Sequence, residues 1–186
     1  MARTTRPHGR DEVILAIHAA AIDLLAERGP SVVTVRQIAE RAGVNHALVH
    51  RHFGTKDELI RAVLSAESQA IAESAMTRGR SVEAMFDLLE DHRAYFLALA
   101  RAVLDAPTLL AGADLPAGEA FLHLVGRADD STRDAAAAAG ALALGWLVFG
   151  EHLSAVLGAA NAQAVRAPVV AAIEGLTARR STSRSG

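Results

Sequence analysis

The sequence predicts an all-α protein, with an N-terminal three-helix helix-turn-helix domain joined by a fourth helix to a C-terminal helical bundle. Three observations carry that expectation. Apolar residues recur at helical spacing along most of the chain, and no segment shows the alternating β-branched pattern of a strand. Hydrophobic residues make up 51% of the chain but aromatics only 4%; alanine dominates, which favours helices in close contact through small side chains. The five prolines stand near ends and breaks rather than in a strand-and-turn rhythm.

The first dozen residues, MARTTRPHGRDE, are polar and basic and read as an arm. A first helix begins near Asp11, with acids at its positive end. Ile14, Ile17, Ala21, Leu24 and Leu25 form one apolar stripe, and Gly29-Pro30 ends it. The second helix starts at Thr34, where Thr34-x-x-Gln37 is a capping box and Val33 against Ile38 a hydrophobic staple. Gly43 closes it. Asn45 caps a third helix by accepting from the amide of Ala47 or Leu48. Thr55-x-x-Glu58, a second capping box, opens a fourth helix that runs through Leu59, Ile60, Val63, Leu64 and Ile71 to about Met76.

A hinge of small and charged residues, Thr77 to Ser81, leads into the second body. There the pattern predicts one long helix from Ser81 or Val82 to Leu104, stopped by Asp105-Ala106-Pro107. A short glycine-broken piece, Leu109–Asp114, follows. Pro116 opens a helix carrying Phe121, Leu122 and Val125, which stops at Gly126. Ser131 is placed to cap an alanine-rich helix to about Leu157, and a last helix follows Gly158–Asn161 to about Ala178. Pro168 either kinks that helix or marks its first turn. The expected division is an arm and DNA-binding domain over 1–55, a ligand-binding and dimerisation domain over 56–178, and a disordered tail over 179–186.

Net charge is only −2, so bulk charge gives no case for nucleic acid. Residues 1–62 hold nine Arg/Lys against seven Asp/Glu, a mild excess. The local distribution says more. Between Arg41 and Lys56 there is no acid, and the ionisable side chains are Arg41, His46, His50, Arg51, His52 and Lys56. Ala39, Gly43 and Val49 fit a helix-turn-helix: small where the helices cross, positive φ at the turn, and apolar in the wedge between them. An ordinary αα-hairpin would use the same three positions. The acid-free second helix is what suits the DNA major groove.

The absence of cysteine excludes a disulfide framework and a thiolate metal site, and fits a reducing cytoplasm. Val13–Ala26 follows three arginines as a signal peptide would, but Asp11, Glu12, His18 and Asp23 break its apolar region. Ala135–Phe149 is fifteen small or apolar residues, short of the roughly 20 that a bilayer needs. Both read as buried helices, and no membrane association is expected.

The segments T-V-R-Q-I-A-E-R-A-G-V and H-F-G-T-K-D-E-L, at one fixed offset, resemble the tetracycline-repressor (TetR) family of bacterial transcriptional regulators. The likeness covers about Asp11 to Val63. It implies a cytoplasmic homodimer bound to a palindromic double-stranded operator, usually as a repressor. It also implies that a small-molecule inducer, unidentified and largely apolar, binds the C-terminal body and lowers DNA affinity through the fourth helix. Two positions depart from the pattern. His50 stands where the family usually has a tyrosine that touches a phosphate, and Leu48 where it has a small or hydroxyl residue.

The DNA-contact candidates are therefore Thr34, Arg36, Asn45, His46, Ala47, Leu48, His50, Arg51, His52 and Lys56. Arg36, in the first turn of the second helix, is a phosphate or guanine contact or else a solvated surface side chain. His46 and Arg51 are set to read base edges, while Asn45 is at least partly spent as a cap. Leu48 either meets a thymine methyl group or folds under as core. His52 either touches phosphate or packs beneath Phe53. Lys56, the chain's one lysine, opposes the helix dipole at the start of the fourth helix, a conflict that a phosphate would remove. Thr34 and Thr55 can cap and still present an amide or hydroxyl to phosphate.

His46-x-x-x-His50 has metal-ligand spacing, but no acid or cysteine nearby completes a site, so no metal and no cofactor is expected. The ligand-pocket candidates are Phe86, His92, Tyr95, Phe96, Phe121, Trp146, Phe149 and His152, since ligand pockets are apolar with sparse polar groups. Plain core would claim the same residue types. Small residues of the last two helices suit a four-helix dimer interface and intrachain packing equally. The alternative class is an all-α enzyme or metal-binding bundle without DNA binding. It lacks a visible catalytic constellation: Glu119 and His123 are four apart, where a di-iron bundle pairs Glu-x-x-His.

Overall fold

The computed structural model describes residues 9–125 and 130–178. Among them every regular element is a helix: α1 Arg10–Arg28, α2 Val35–Ala42, α3 His46–Phe53, α4 Lys56–Met76, α5 Val82–Asp91, α6 Arg93–Asp105, a 3₁₀ turn Pro107–Leu110, α7 Ala117–Val125, α8 Asp130–Leu157 and α9 Ala162–Ala178. The arm before Gly9, Gly126 and the tail after Ala178 lie outside the described residues.

Compactness divides the chain into two units. The first takes the residues up to Ser68 together with 94–115; the second takes 69–93 and the residues from Pro116 onward. In the first, α1 buries Ile17, Ala21, Leu24 and Leu25, and Ile38, Ala39, Val49, Leu59, Ile60, Val63 and Leu64 of α2, α3 and α4 are likewise nearly inaccessible. Gly29, at φ +79°, turns the chain out of α1 and bonds back to Leu25 O. Arg101 Nε donates to Ala26 O at 2.9 Å, so α6 satisfies an open carbonyl in the last turn of α1.

In the second unit, α5 buries Val82, Met85, Phe86, Leu88 and Leu89. Phe86 meets Trp146 of α8 edge-on, ring centres 5.1 Å apart. Arg166 of α9 lies over the Phe86 ring and reaches Glu83 and Asp87, each at 3.0 Å. Trp146 Nε1 donates to Ala162 O at 2.8 Å, fastening α8 to the first residue of α9.

Three details depart from the sequence expectation, and one alternative it left open, at Pro168, is resolved. The single helix over 81–104 is two, broken at His92 (φ −110°, ψ 29°), next to where the chain passes from the second unit into the first. The helix expected to be capped by Ser131 already begins at Asp130. Pro168 lies inside α9, whose N-terminus is capped instead by Asn161, accepting from Ala164 N at 2.9 Å. Finally, α8 is not buried all round. Arg133–Leu157 is long and apolar enough to cross a bilayer, and only 28% of its apolar window is buried. Ala136, Ala139, Ala143, Trp146 and Leu147 face the core, while Leu142, Phe149, Leu153, Val156 and Leu157 are exposed.

Candidate nucleic-acid interface

The α2–turn–α3 unit is built by local chemistry. Thr34 Oγ1 accepts from Gln37 N at 3.2 Å, and Gln37 Oε1 accepts from Thr34 N at 2.9 Å, which is the reciprocal capping box. Gly43 takes the left-handed conformation at φ +67°, ψ 26°, and its amide bonds back to the end of α2. Asn45 Oδ1 accepts from Ala47 N at 2.9 Å to start α3. At the next junction Glu58 Oε2 accepts from both the amide and the hydroxyl of Thr55 at 2.7 Å, and these bonds hold the Glu58 carboxyl below its ordinary pKa.

This scaffold leaves Thr34, Arg36, Asn45, His46, Ala47, His50 and Arg51 exposed. Leu48, His52 and Lys56 are half-buried, so for Leu48 and His52 both expected roles remain compatible with their exposure. Arg36 Nε is held at 2.8 Å by Glu40 one turn on, which raises the guanidinium pKa. Arg41, at the end of α2, is instead committed to α1 through Glu27.

The sequence reading missed one feature here. His50 Nδ1 lies 2.9 Å from Gly54 O, while Gly54 N donates back to His50 O at 2.9 Å. Gly54 has φ +77°. The signal in the sequence is the spacing His50-x-x-x-Gly54, a histidine four residues before a glycine. The same ring meets His46 edge-on, with centroids 4.5 Å apart.

Residues 17–63, the part of the chain just described, match the family model "Bacterial regulatory proteins, tetR family". The HTH-type transcriptional repressor Rv3405c of Mycobacterium tuberculosis is 42% identical over 163 residues, covering 84% of this chain and 83% of that protein. The chain belongs to the tetR family. As a tetR-family protein it is a DNA-binding transcriptional regulator and not an enzyme. A tetR-family regulator of Streptomyces coelicolor is 25% identical, with TM-score 0.59 over 92% of this chain and 84% of its own. SCO4942 of the same organism reaches TM-score 0.64 at 23% identity, covering 87% of this chain and 96% of its own, and supports the fold alone.

The eight pocket candidates of this tetR-family chain divide between the two units. Tyr95 and Phe96 lie in the first unit, ring centres 5.1 Å apart. Burial pushes the Tyr95 hydroxyl pKa up, with a hydrogen bond to Ser68 pulling the other way and the Glu67 charge adding to the rise. Phe86 and Trp146 form the edge-on pair of the second unit; Phe121 and His92 are half-buried, and Phe149 and His152 are exposed. Of the eight, only Trp146 lines the cleft of about 660 Å³ at the α8–α9 turn. Its other walls include Glu90, Arg93, Glu151, Ser154 and Asn161. A turn between helices gives no periodic signal from which that lining could be read.

Proposed function

We propose that the chain is a dimeric, ligand-responsive repressor that places α3 of each copy in successive major grooves of a palindromic operator. The observation that carries the reading is the doubly capped α2–Gly43–α3 unit with its exposed, acid-free α3. In this reading His46, Ala47 and Arg51 meet base edges, and Leu48 offers an apolar contact to a thymine methyl. Thr34, Arg36, His50, His52 and Lys56 meet phosphates, while Asn45 mainly positions α3. Arg36 exchanges an exposed carboxylate partner for a phosphate, at small cost because such pairs are worth little in water.

Residues 1–55 then form the DNA-binding part and 56–178 the ligand-binding and dimerisation part. The exposed apolar flank of α8 (Phe149, Leu153, Val156) supports dimerisation through α8 and α9, where two copies build a four-helix interface. The same pairing accounts for an apolar helix half exposed in one chain, and supports a cytoplasmic regulator over a membrane one. The cleft at the α8–α9 turn is of a size that holds a drug-sized molecule.

Selection from a randomised duplex pool tests the reading. The expected product is an inverted repeat with half-site centres about 10 bp or a multiple apart. No enrichment would overturn it. A footprint on DNA flanking its gene, with and without cell extract, then tests release by a small molecule.

A further inference from the structure

We infer that His50 grips a backbone phosphate only as an imidazolium, so that each α3 takes up a proton when it binds DNA. The inference rests on the DNA-binding reading above and adds the protonation state of one contact.

A carbonyl oxygen cannot donate, so His50 Nδ1, 2.9 Å from Gly54 O, carries the ring's hydrogen. The reciprocal Gly54 N to His50 O bond holds the same turn closed. A neutral ring with its hydrogen on Nδ1 has a bare Nε2, which is an acceptor. A phosphate oxygen is also an acceptor, so the neutral ring offers it nothing. One proton from solvent, added at Nε2, supplies both the missing donor and a positive charge, and leaves the Nδ1–Gly54 bond intact. Imidazole is the side chain that makes this change between about pH 5 and 8.

Among the described residues no carboxylate is ion-paired with the His50 ring, whose Nδ1 is bonded to Gly54 O. On α3 the neighbours are His46, edge-on to the ring, Arg51 and His52. From α2 come Arg36, bound to Glu40, and Arg41, bound to Glu27. From the start of α4 come Glu58, bound by Thr55, and Lys56, Asp57 and Arg61, which line a separate small cleft with Pro30 and Ser31. His50 also sits in the last turn of α3, where the helix dipole favours a cation. Since the complex holds the protonated ring, affinity is highest below the imidazole range and declines as pH rises through it. His46 and His52 stand on the same helix, so the comparison of variants is what isolates His50.

The test uses the full chain and the duplex it enriches from a randomised pool, titrated at pH 6 and pH 8 over a range of salt. For wild type, binding at pH 6 is tighter by roughly tenfold or more, and the salt slope is steeper by about 0.9 per recognition helix. His50→Asn keeps a donor for Gly54 O but has no Nε2, and loses that extra slope. His50→Tyr carries a hydroxyl donor at both pH values and also loses the extra slope, while binding at pH 8 at least as well as wild type. Circular dichroism confirms folding of each variant. The inference is overturned if wild type shows no pH-linked salt slope, or if both variants keep it. Failure to enrich or bind any duplex at either pH would instead sink the DNA-binding reading itself.

Discussion

Arg41 Nη1 and Nη2 each donate at 2.9 Å to one carboxylate oxygen of Glu27, joining the last turn of α2 to the end of α1 by a two-pronged bond. The pairing spends an arginine that would otherwise stand among the cations available to phosphate. It holds the Glu27 carboxyl below its ordinary range, chiefly through the hydrogen bonds from Arg41; desolvation opposes the shift, and the charges of Arg41 and Arg28 add to it by less. A depressed carboxyl contributes stability above its unfolded value and loses it as pH falls through the folded one. Glu27→Gln should therefore melt below wild type at neutral pH, with the gap closing under acid. Both side chains are well exposed, so the gap is small. Thermal melts at a series of pH values check this, and a gap that widens in acid would contradict it.

Gly43 permits the turn between α2 and α3. At φ +67° an L-residue pays about 1–2 kcal/mol, so Gly43→Ala should lower stability by that amount. Urea titration reads it directly. An unchanged midpoint would mean that the turn relaxes into another geometry.

Trp146→Phe keeps the edge contact with Phe86 but deletes the indole donor, leaving Ala162 O without its partner. The expected loss is about 1–3 kcal/mol. Gly150→Ala reaches the same joint by another route. A Cβ there would stand 3.3 Å from Trp146 Cδ1, close enough to push the indole off its bond. Urea titration reads the loss in Trp146→Phe, and Gly150→Ala should alter the fluorescence of Trp146, the chain's one tryptophan.

Phe149 is 54% exposed in one chain, with Leu153 one turn on and Val156 two turns on also exposed. Phe149→Glu should shift the protein towards monomer in sedimentation and weaken operator binding with it, because one α3 then engages one half-site. A variant that stays dimeric would place the interface elsewhere.

What could be read from the sequence follows the range of the forces involved. The capping boxes at Thr34 and Thr55, the Asn45 cap and the turn at Gly43 act within three or four residues, and each occurs where the pattern puts it. The break at His92 was not legible, because Val82–Leu104 keeps an unbroken helical pattern and the chain changes unit there for tertiary reasons. Pro168 was ambiguous for a related reason: only the Asn161 cap settles where α9 starts. The aromatics were legible as apolar but not as neighbours. Tyr95 and Trp146 fall in different units, and composition carries no such information.

Arg51 and Lys56 provide the sharpest separation of base reading from phosphate holding. Arg51 is exposed in the last turn of α3, whereas Lys56 is half-buried at the first residue of α4, where its charge opposes the helix dipole. A phosphate contact at Lys56 is sequence-independent, so Lys56→Ala should weaken selected and random duplexes alike and reduce the salt slope by about 0.9 per recognition helix. A base contact at Arg51 should make Arg51→Ala lose about 1–3 kcal/mol on the selected duplex but little on the random one, with relaxed preference at the base pair it meets. Titrating both variants against both duplexes over a range of salt distinguishes the roles. Equal losses of Arg51→Ala on the two duplexes would make it a phosphate contact, and an unchanged salt slope for Lys56→Ala would remove that lysine from the interface.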